Sequence, residues 1–353
     1  MTRKSAPTLV RWLRSQATIC KRGGDYVLSI DGHMKAIVIN GCCKAEDLQV
    51  SEIPMPKVRE GWVLVKIHAV GLNHSEAILR MYEADNDYIS TPIVPGIECV
   101  GEIADASDSA FKKGDKVMAL MGGMGRSFNG SYAEYAILPT KNVFKVDAEL
   151  DWISLAAIPE TYFTAYGSLV ECLMLTAADT LLVRGATSTV GQAAIQLAKA
   201  IGATVIAASR RESSFEKLKR IGADYCIIDD EHISQQHLPI IPNKVLELIG
   251  PKTLQDSLRT VSHPGYVCNT GILGNVFTVD HFDPIKYIPN GVFLTGFFSN
   301  YPTQTDIDNM MELIIKGGIR PLYNKVFTLE EIAEAHKLLE FGGAGGKIIL
   351  KMM

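Results

Sequence analysis

The amino-acid sequence predicts an α/β protein with two domains, one rich in short strands and the other built on a parallel sheet. The chain has 353 residues, of which 47% are hydrophobic, and this length favours two cores over one. Residues 34–158 contain short alternating runs such as WVLVKIHAV, separated by turn signals, which are typical of a partly open β-barrel. From residue 159 the order becomes strand, helix, strand, helix, which predicts a doubly wound parallel sheet. We assign residues 302–353, which end in the strand KIILKM, to the first domain.

Residues 1–33 precede the first predicted strand and differ from it in composition. The first 24 residues contain six Lys and Arg and no acid. A basic, acid-free start is typical of a targeting segment, whereas the GHM that ends at Met34 is also typical of an expression tag or an upstream extension. The sequence leaves these three interpretations open.

The overall charge and the cysteines limit the classes of function. A formal net charge of −4 argues against nucleic acid or an anionic membrane as the main partner, and a small molecule fits better. No apolar run reaches the roughly 18 residues of a spanning helix. Seven scattered cysteines without a C-x-x-C pair are typical of a reducing compartment, where most thiols are small buried groups. We therefore expect a soluble, cytoplasmic protein.

The stretch LLVRGATSTVGQAAIQLAK at 181–199 is a predicted strand, a short loop and an amphipathic helix. In a βαβ unit such a loop needs small residues, so that its backbone N–H groups and the helix N-terminus can face a pyrophosphate. We expect Gly185 to turn the chain and Gly191 to allow close packing, with Ser188 and Thr189 as added hydroxyl donors. A structural turn without a ligand is the alternative. The loop's candidate cofactor-binding residues are Ala186, Thr187, Ser188, Thr189 and Val190.

The end of the next strand indicates which dinucleotide is preferred. An Asp or Glu at this place would bind the ribose 2′-hydroxyl of NAD, but the chain has Ser209, Arg210 and Arg211. Two guanidiniums can hold a 2′-phosphate in bidentate contacts, and basic residues are otherwise unfavourable at the positive end of a helix. The pattern predicts NADP(H), with Ser214 as a further phosphate contact. A solvated basic helix start is the alternative.

Seven motifs, in order along residues 34–353, resemble the medium-chain dehydrogenase/reductase superfamily and specifically its zinc-independent quinone oxidoreductase branch. The motifs are GLNHSEAILR, PGIECVGEI, FKKGDKVMAL, GSYAEYAIL, AAIPETYFTAYGSL, GATSTVG and GGKIIL. The resemblance implies a GroES-like, partly open β-barrel catalytic domain at 34–158 and 302–353. It also implies a Rossmann NADP-binding domain at 159–301.

The resemblance also implies that this chain uses no metal. Zinc-dependent members take a Cys near the GLNHSE position and a His directly before the Glu of the second motif. Here Asn73 and His74 stand in the first motif and Ile97 precedes Glu98 in the second, so the three protein ligands of a catalytic zinc are not assembled in that way. We therefore expect hydride addition to a quinone or an α,β-unsaturated carbonyl, which relies on positioning, a dry pocket and hydrogen bonds.

Other candidate residues follow from the same motifs. Asn73 matches the family's Asn beside the nicotinamide, where it could position the ring or bind a substrate carbonyl. The family often has a Tyr five residues later, but this chain has Ile78, so Tyr82, Tyr88, His74 or solvent is the candidate proton donor. We expect a structural role for Glu98, and a local ion pair between Glu76 and Arg80. The remaining candidate cofactor contacts are Thr164, Gly250, Thr270, Gly271, Ile272, Phe297, Phe298, Ser299 and Lys347.

The leading functional hypothesis is an NADPH-dependent quinone or enone reductase. An enoyl-thioester reductase is an alternative that differs in the substrate tail. A regulatory or crystallin-like protein that binds NADPH without turnover is another. The resemblance further implies a homodimer formed through the strand GVFLTGFF, because an exposed apolar edge strand needs to be covered.

Overall fold

A computed structural model describes residues 32–341 and 345–352. The predicted N-terminal segment therefore lies outside the described residues except for its last two positions. Of these, His33 pairs with Pro54 as the first residue of a strand.

Strands occur throughout the described part of the chain. They are β1 (His33–Ile37), β2 (Val50–Pro54), β3 (Trp62–Leu72), β4 (Glu98–Asp105), β5 (Lys116–Leu120), β6 (Tyr135–Pro139), β7 (Val143–Lys145), β8 (Thr180–Arg184), β9 (Thr204–Ser209), β10 (Tyr225–Ile228), β11 (Lys244–Glu247), β12 (Gly265–Asn269), β13 (Val292–Gly296), β14 (Tyr323–Thr328) and β15 (Lys347–Lys351).

The helices are mostly short, and two of them continue into a π-helical turn, Leu79–Glu83 and Gly167–Cys172. They are α1 (His74–Ile78), α2 (Trp152–Ala156), α3 (Pro159–Tyr166), α4 (Thr189–Ile201), α5 (Phe215–Arg220), α6 (Leu254–Thr260), α7 (Pro284–Tyr287), α8 (Gln304–Lys316) and α9 (Ile332–Phe341).

One compact unit contains the described residues up to Pro159 and from Tyr323 onward. Its main sheet has the order β14-β15-β3-β4-β5-β7, with β6 also paired to β3, and β1 pairs with β2 separately. The pairs made by β3 are antiparallel, and its residues alternate between buried and half-buried positions before the last four become fully buried. Such alternation is typical of a strand with one face on a core. The strand-rich first domain predicted from the sequence is therefore present.

The last strand of the chain belongs to this unit, as the sequence predicts. Strand β15 pairs antiparallel with β3, joining Ile348 to Leu72, and parallel with β14. The C-terminal strand thereby brings Lys347 beside the residues that follow β3.

The other compact unit, Glu160–Leu322, contains a six-stranded sheet in the order β10-β9-β8-β11-β12-β13. All of its strand pairs are parallel. Strands β8 and β9 are buried along nearly their whole length, because helices cover both faces of such sheets. The strand order reverses direction between β8 and β11, and ligands of open α/β sheets bind at such a point. The predicted doubly wound sheet is confirmed.

The boundary at which the chain returns to the first unit differs from the expected residue 302. The return occurs at Tyr323, because α8 packs against α4 within the second unit. Gln196 on α4 also donates through Nε2 to the carbonyl of Arg320, over 3.1 Å. An amphipathic helix buries its apolar face equally well on either domain, so its sequence pattern does not identify its partner.

Candidate functional site

The glycine-containing loop between β8 and α4 has the geometry expected of a tight turn into a helix. Gly185 has a φ of +80°, a conformation that side chains other than glycine rarely adopt. A Cβ on Gly191 would lie 2.5 Å from the carbonyl oxygen of Gly185. Both glycines are therefore required sterically, as predicted, and α4 starts directly against the loop.

Ser188 caps α4 and does not present a free hydroxyl donor, which corrects the expectation for this residue. Its Oγ accepts the backbone N–H of Gly191 over 3.0 Å and donates to the carbonyl of Gly185 over 2.9 Å. The first amides of a helix have no partner within the helix. Because Ser188 binds the amide of Gly191, those of Thr189 and Val190 are the ones left at the helix start to face an anion.

The first residues of the loop are held by the surrounding structure. Ala186 is buried, and its N–H donates to the carbonyl of Ala208 over 3.3 Å. Thr187 is exposed, and its carbonyl accepts a 2.9 Å hydrogen bond from Nε2 of Gln192. Sequence reasoning missed Gln192, since a glutamine inside a helix carries no local signal for such a contact.

The end of β9 exposes two arginines that form no ion pair within the described residues. Ser209 is buried, and its Oγ accepts the backbone N–H of Arg211 over 3.3 Å. Arg210 and Arg211 are both exposed, and neither has an ion-pair partner among the described residues. Ser214, half-buried, closes the turn by donating its backbone N–H to the carbonyl of Arg211 over 3.1 Å. The structure thus brings these four predicted residues into one turn.

The segments that follow β11 and β12 lie against each other. Gly250 has a φ of +92°, and a Cβ on it would lie 2.5 Å from the carbonyl oxygen of Gly271. A Cβ on Gly271 would in turn lie 2.2 Å from the carbonyl oxygen of Leu248. The predicted residues Gly250, Gly271 and Ile272 are therefore neighbours at the carboxyl edge of the sheet, where two backbones approach too closely for side chains.

A buried ionic cluster supports this edge and was not predicted from the sequence. Arg184, the last residue of β8, makes two hydrogen bonds of 2.8 and 2.9 Å to Asp229 and one of 2.7 Å to Asp256. Glu247, which ends β11, accepts the N–H groups of Ile249 and Gly250 over 2.7 and 3.0 Å. Burial raises the pKa of Glu247, and the hydrogen bond from the Ser257 hydroxyl and the charge of Arg184 oppose this rise. The cluster fixes the ends of β8 and β11 relative to each other.

Hydroxyl groups connect three of the predicted cofactor contacts through residues that sequence reasoning missed. Oε1 of Glu160 accepts hydrogen bonds from Thr164 over 2.9 Å and from Ser299 over 2.6 Å. Ser168 donates to the carbonyl of Thr164 over 2.7 Å, and its Oγ lies 2.8 Å from that of Thr270. Thr164, Thr270 and Ser299 therefore lie in one polar network of the second unit.

The two phenylalanines after β13 have different surroundings. Phe297 packs edge-on against Phe163, with ring centroids 5.6 Å apart, and covers Gly167, where a Cβ would lie 2.0 Å from the Phe297 ring. Phe298 is 70% exposed. Packing explains Phe297, whereas Phe298 is available at the surface of its unit.

In the first unit, Asn73 is held by a buried ion pair. Its Nδ2 donates to Glu98 Oε1 over 2.8 Å and to the carbonyl of Gly71 over 3.3 Å, while its Oδ1 accepts from Lys347 over 2.6 Å. Lys347 Nζ also lies 2.6 Å from Glu98 Oε1, with the two side chains 1% and 0% exposed. Glu98 therefore pairs with Lys347, a contact that fits the structural role predicted for it. Lys347 also binds Asn73 from within the same unit.

Glu76 and Arg80 do not form the expected local ion pair. Glu76 accepts the backbone N–H groups of Asn73 and Ile97 over 2.8 and 3.1 Å, and burial raises its pKa to about 7. Arg80 contacts Glu340 and donates to Nδ1 of His336 over 3.3 Å. Both side chains are buried. Glu76 binds backbone amides and Arg80 binds His336 and Glu340, so the two do not pair with each other.

The candidate proton donors are exposed in their unit. Tyr82 is 68% and Tyr88 65% exposed, and His74 is exposed as well. The Asn73 side chain is hydrogen-bonded to Gly71, Glu98 and Lys347 and to none of these three residues. The structure therefore does not join them to the Asn73 cluster.

The residues around Asn73 do not fit a catalytic zinc. A protein zinc site needs thiolate, imidazole or carboxylate ligands, and Ile97 supplies none. The side-chain oxygen of Asn73 accepts a hydrogen bond from Lys347, whose ammonium also binds the carboxylate of Glu98. Within residues 32–341 and 345–352, no group of three His, Cys, Asp or Glu side chains is arranged to hold a metal.

No helix in the described ranges combines the length and the apolar character needed to cross a membrane.

Comparisons with known proteins agree with both units. A family model described as alcohol dehydrogenase GroES-like domain matches residues 59–148, and one described as zinc-binding dehydrogenase matches residues 189–316. The GroES-like and Rossmann-like domains expected from the sequence are therefore present.

Individual relatives match both units. Human quinone oxidoreductase is 29% identical over 313 residues, which is 85% of this chain and 92% of the relative. The structure of the quinone oxidoreductase from Coxiella burnetii has a TM-score of 0.78 at 25% identity, covering 91% of this chain and all of that one. The crystal structure of AibC has a TM-score of 0.81 at 26% identity, covering 95% and 100%. These relatives indicate an oxidoreductase and imply a nicotinamide cofactor. The chain belongs to the medium-chain dehydrogenase/reductase superfamily, in its quinone oxidoreductase-like branch.

Proposed function

We propose that this oxidoreductase uses NADPH and transfers a hydride to a quinone or an α,β-unsaturated carbonyl without a metal. The observation that carries the choice of NADPH is the end of β9, where Arg210 and Arg211 are exposed and Ser209 stands in place of an acid. A 2′-phosphate would give these guanidiniums the anionic partner that they lack within the described residues.

The start of α4 fits the pyrophosphate of the same ligand. The amides of Thr189 and Val190 lie at the positive end of a helix of 13 residues, where an anion is stabilised by the helix dipole and by hydrogen bonds. Gly185 and Gly191 keep side chains away from this surface. We propose that Thr187 contributes its backbone N–H here, whereas that of Ser188 already donates to the carbonyl of Gly185 over 3.1 Å.

Asn73 is proposed to accept a hydrogen bond from the nicotinamide carboxamide. Both of its N–H groups are already used, by Glu98 and by the carbonyl of Gly71, whereas Oδ1 accepts one bond, from Lys347. An amide oxygen has two lone pairs, so the free capacity of this side chain is that of an acceptor. This favours positioning of the ring over donation to a substrate carbonyl, the two roles that the sequence left open.

Bound NADPH would supply the hydride, and the protein's share of the reaction is to bind, orient and exclude water. Asn73 is suited to orienting the nicotinamide because the buried ion pair of Lys347 and Glu98 fixes the direction of its side-chain amide. For the proton, we propose solvent as the source, since Tyr82, Tyr88 and His74 are exposed and do not contact the Asn73 side chain. Tyr82 and His74 are the protein groups that would replace solvent in this role.

We also propose a homodimer formed through β13. This strand is at the edge of the six-stranded sheet, and Phe293 on it is 52% exposed. An apolar edge strand is a template for pairing with a second chain. Pairing of two copies would join their sheets around a two-fold axis.

The experiment that tests the reaction is a panel of acceptors with NADPH and with NADH. Phenanthrenequinone, an alkenal and an enoyl thioester separate the quinone, enone and thioester reactions, and each is measured after chelator treatment and after zinc addition. We expect NADPH oxidation with the first or second acceptor, unchanged by either treatment. NADPH binding without turnover of any acceptor would instead favour the non-catalytic alternative, and equal turnover with NADH would contradict the cofactor preference.

A further inference from the structure

Two cysteines of the second unit lie close together beside the polar network of Thr270. Cys172 ends the π-helical turn after α3, and Cys268 lies in β12. Ser168, four residues before Cys172, lies 2.8 Å from Thr270, and Gly296 is the strand partner of Asn269, the residue after Cys268. Cys172 also contacts the carbonyl of Gly296 over 3.5 Å, and Cys268 lies 3.3 Å from Oγ1 of Thr270. Most thiols of this chain were expected to be inert buried groups, and this pair departs from that expectation.

The two thiols differ in exposure and in acidity. Cys172 is half-buried, whereas Cys268 is buried. The nearby thiol of Cys268 lowers the pKa of Cys172 to about 7, and the thiol of Cys172 together with burial raises the pKa of Cys268. Burial raises the pKa of Cys43, Cys99 and Cys226. Since the thiolate is the nucleophile, an accessible thiol of low pKa is the one that reacts first.

We propose that Cys172 and Cys268 are a redox-active pair that peroxides oxidise to a disulfide, with Cys172 as the attacking thiol and Cys268 as the resolving thiol. This inference goes beyond the proposed reductase function and does not depend on it.

The proposed chemistry has two steps. The thiolate of Cys172 attacks one oxygen of hydrogen peroxide, so that an S–O bond forms, the O–O bond breaks and hydroxide leaves. The sulfur of Cys268 then attacks the sulfenic sulfur of Cys172, the S–S bond forms and the S–O bond breaks. The second hydroxide takes the proton of the Cys268 thiol and leaves as water. In total the two thiols lose two electrons and peroxide is reduced to two waters.

The location gives the oxidation a structural consequence. A disulfide removes the S–H group of Cys268 that lies 3.3 Å from Thr270, and Thr270 lies 2.8 Å from Ser168. The bond would also tie the turn after α3 to β12, two segments that the chain otherwise joins through nearly a hundred residues. Oxidation therefore acts on the carboxyl edge of the parallel sheet.

The test is peptide mapping of the full-length chain after treatment with hydrogen peroxide. Cleavage after Lys and Arg places Cys172 in residues 146–184 and Cys268 in residues 260–286, so a disulfide links two otherwise separate peptides. Remaining thiols are alkylated before digestion, and half the sample is reduced with dithiothreitol. We expect the linked pair to appear with peroxide and to vanish on reduction.

Variants separate the two roles. Cys268→Ser is expected to leave a sulfenic acid on Cys172 that dimedone traps, whereas Cys172→Ser is expected to lose both the linked pair and the dimedone adduct. Cys226→Ser, which changes a half-buried thiol of raised pKa, is the matched control and should form the linked pair like the unmodified chain. In unmodified protein at pH 7, Cys172 should react with iodoacetamide roughly tenfold faster than Cys226. Absence of the linked peptides from peroxide-treated unmodified chain, or a dimedone adduct on Cys268 in Cys172→Ser, would overturn the proposal.

Discussion

Lys347 donates a 2.6 Å hydrogen bond to the side-chain oxygen of Asn73, a residue that lies 274 positions earlier in the chain. The same ammonium lies 2.6 Å from Glu98. Because a carboxylate requires a donor and an ammonium requires an acceptor, these two charges determine which end of the Asn73 amide faces each of them. The last strand of the chain thus orients the residue proposed to position the nicotinamide.

Removing the charge of Lys347 should strongly destabilise the protein. Lys347→Met leaves the carboxylate of Glu98 buried and without its cation, a change that typically costs about 3–5 kcal/mol. The double variant Lys347→Met with Glu98→Gln removes both charges and should recover most of that loss. Urea unfolding of the four proteins gives the coupling energy. If the two single losses simply add in the double variant, the ion pair is not the source of the effect.

Replacement of Asn73 should lower turnover more than it lowers stability. Asn73→Ala removes the acceptor proposed for the nicotinamide carboxamide, and loss of one such positioning contact typically reduces kcat by about 10²-fold. Asp87→Ala is the control, since Asp87 is exposed in the same unit and belongs to neither the Asn73 cluster nor the candidate proton donors. Steady-state kinetics with the best acceptor of the panel gives both values. Equal kcat values for the two variants would remove Asn73 from the proposed role.

Local sterics and hydrogen bonding account for the parts of the fold and site that could be read from the sequence. The strand and helix order, the turn at Gly185 and the close packing at Gly191 depend on neighbouring residues, and the structure confirms them. The end of β9 was also predictable, because Arg210 and Arg211 follow a buried strand directly.

Contacts between distant residues were not predictable in the same way. Nothing near Lys347 in the sequence indicates that its ammonium binds Glu98, and nothing near Arg184 indicates its carboxylate partners. Ser188 was misjudged for a local reason, since a serine before a helix can donate to a ligand or cap the helix, and here it caps. The chain returns to the first unit at Tyr323 because α8 packs on the second unit, and the sequence pattern of α8 does not show which unit it covers.

The two arginines after β9 should discriminate between the dinucleotides. Arg210→Ala and Arg211→Ala are each expected to weaken NADPH binding roughly tenfold, as a charged hydrogen bond contributes about 1.5–3 kcal/mol, with NADH binding nearly unchanged. Arg220→Ala changes another exposed arginine of the same region and should leave both affinities as they are. Fluorescence titration with each dinucleotide measures the effect. An equal loss of NADH affinity would mean that the arginines do not contact a 2′-phosphate.

A charge on the edge strand should prevent the proposed dimer. The chain mass is 38.6 kDa, and light scattering after size-exclusion chromatography is expected to give twice that value. Phe293→Lys introduces a lysine on β13, a residue that natural edge strands use against pairing, and should yield the monomer mass. Ile241→Lys alters another exposed apolar side chain, 58% exposed and outside β13, and should stay dimeric. A monomer mass for the unmodified chain at micromolar concentration would contradict the dimer directly.

The buried carboxyl of Glu76 should make stability fall as the pH rises towards neutral. Burial raises its pKa from an ordinary 4.5 to about 7, with the N–H of Ile97 opposing the shift. A group whose pKa is raised on folding binds more protons in the folded state, so the folded state is favoured below pH 4.5 and loses this advantage as the pH passes through about 7. The loss amounts to about 3 kcal/mol at about 1.4 kcal/mol per pKa unit.

Glu76→Gln isolates this contribution, because the amide does not titrate while every other group stays in both proteins. The variant loses one acceptor for the N–H groups of Asn73 and Ile97, which lowers its free energy of unfolding by a pH-independent amount. The difference in free energy of unfolding between the two proteins, measured by urea at pH 5 and pH 8, should therefore shift by about 2–3 kcal/mol in favour of the variant at the higher pH, because a small part of the effect is already lost at pH 5. A difference that is the same at both pH values would mean that Glu76 does not titrate in this range.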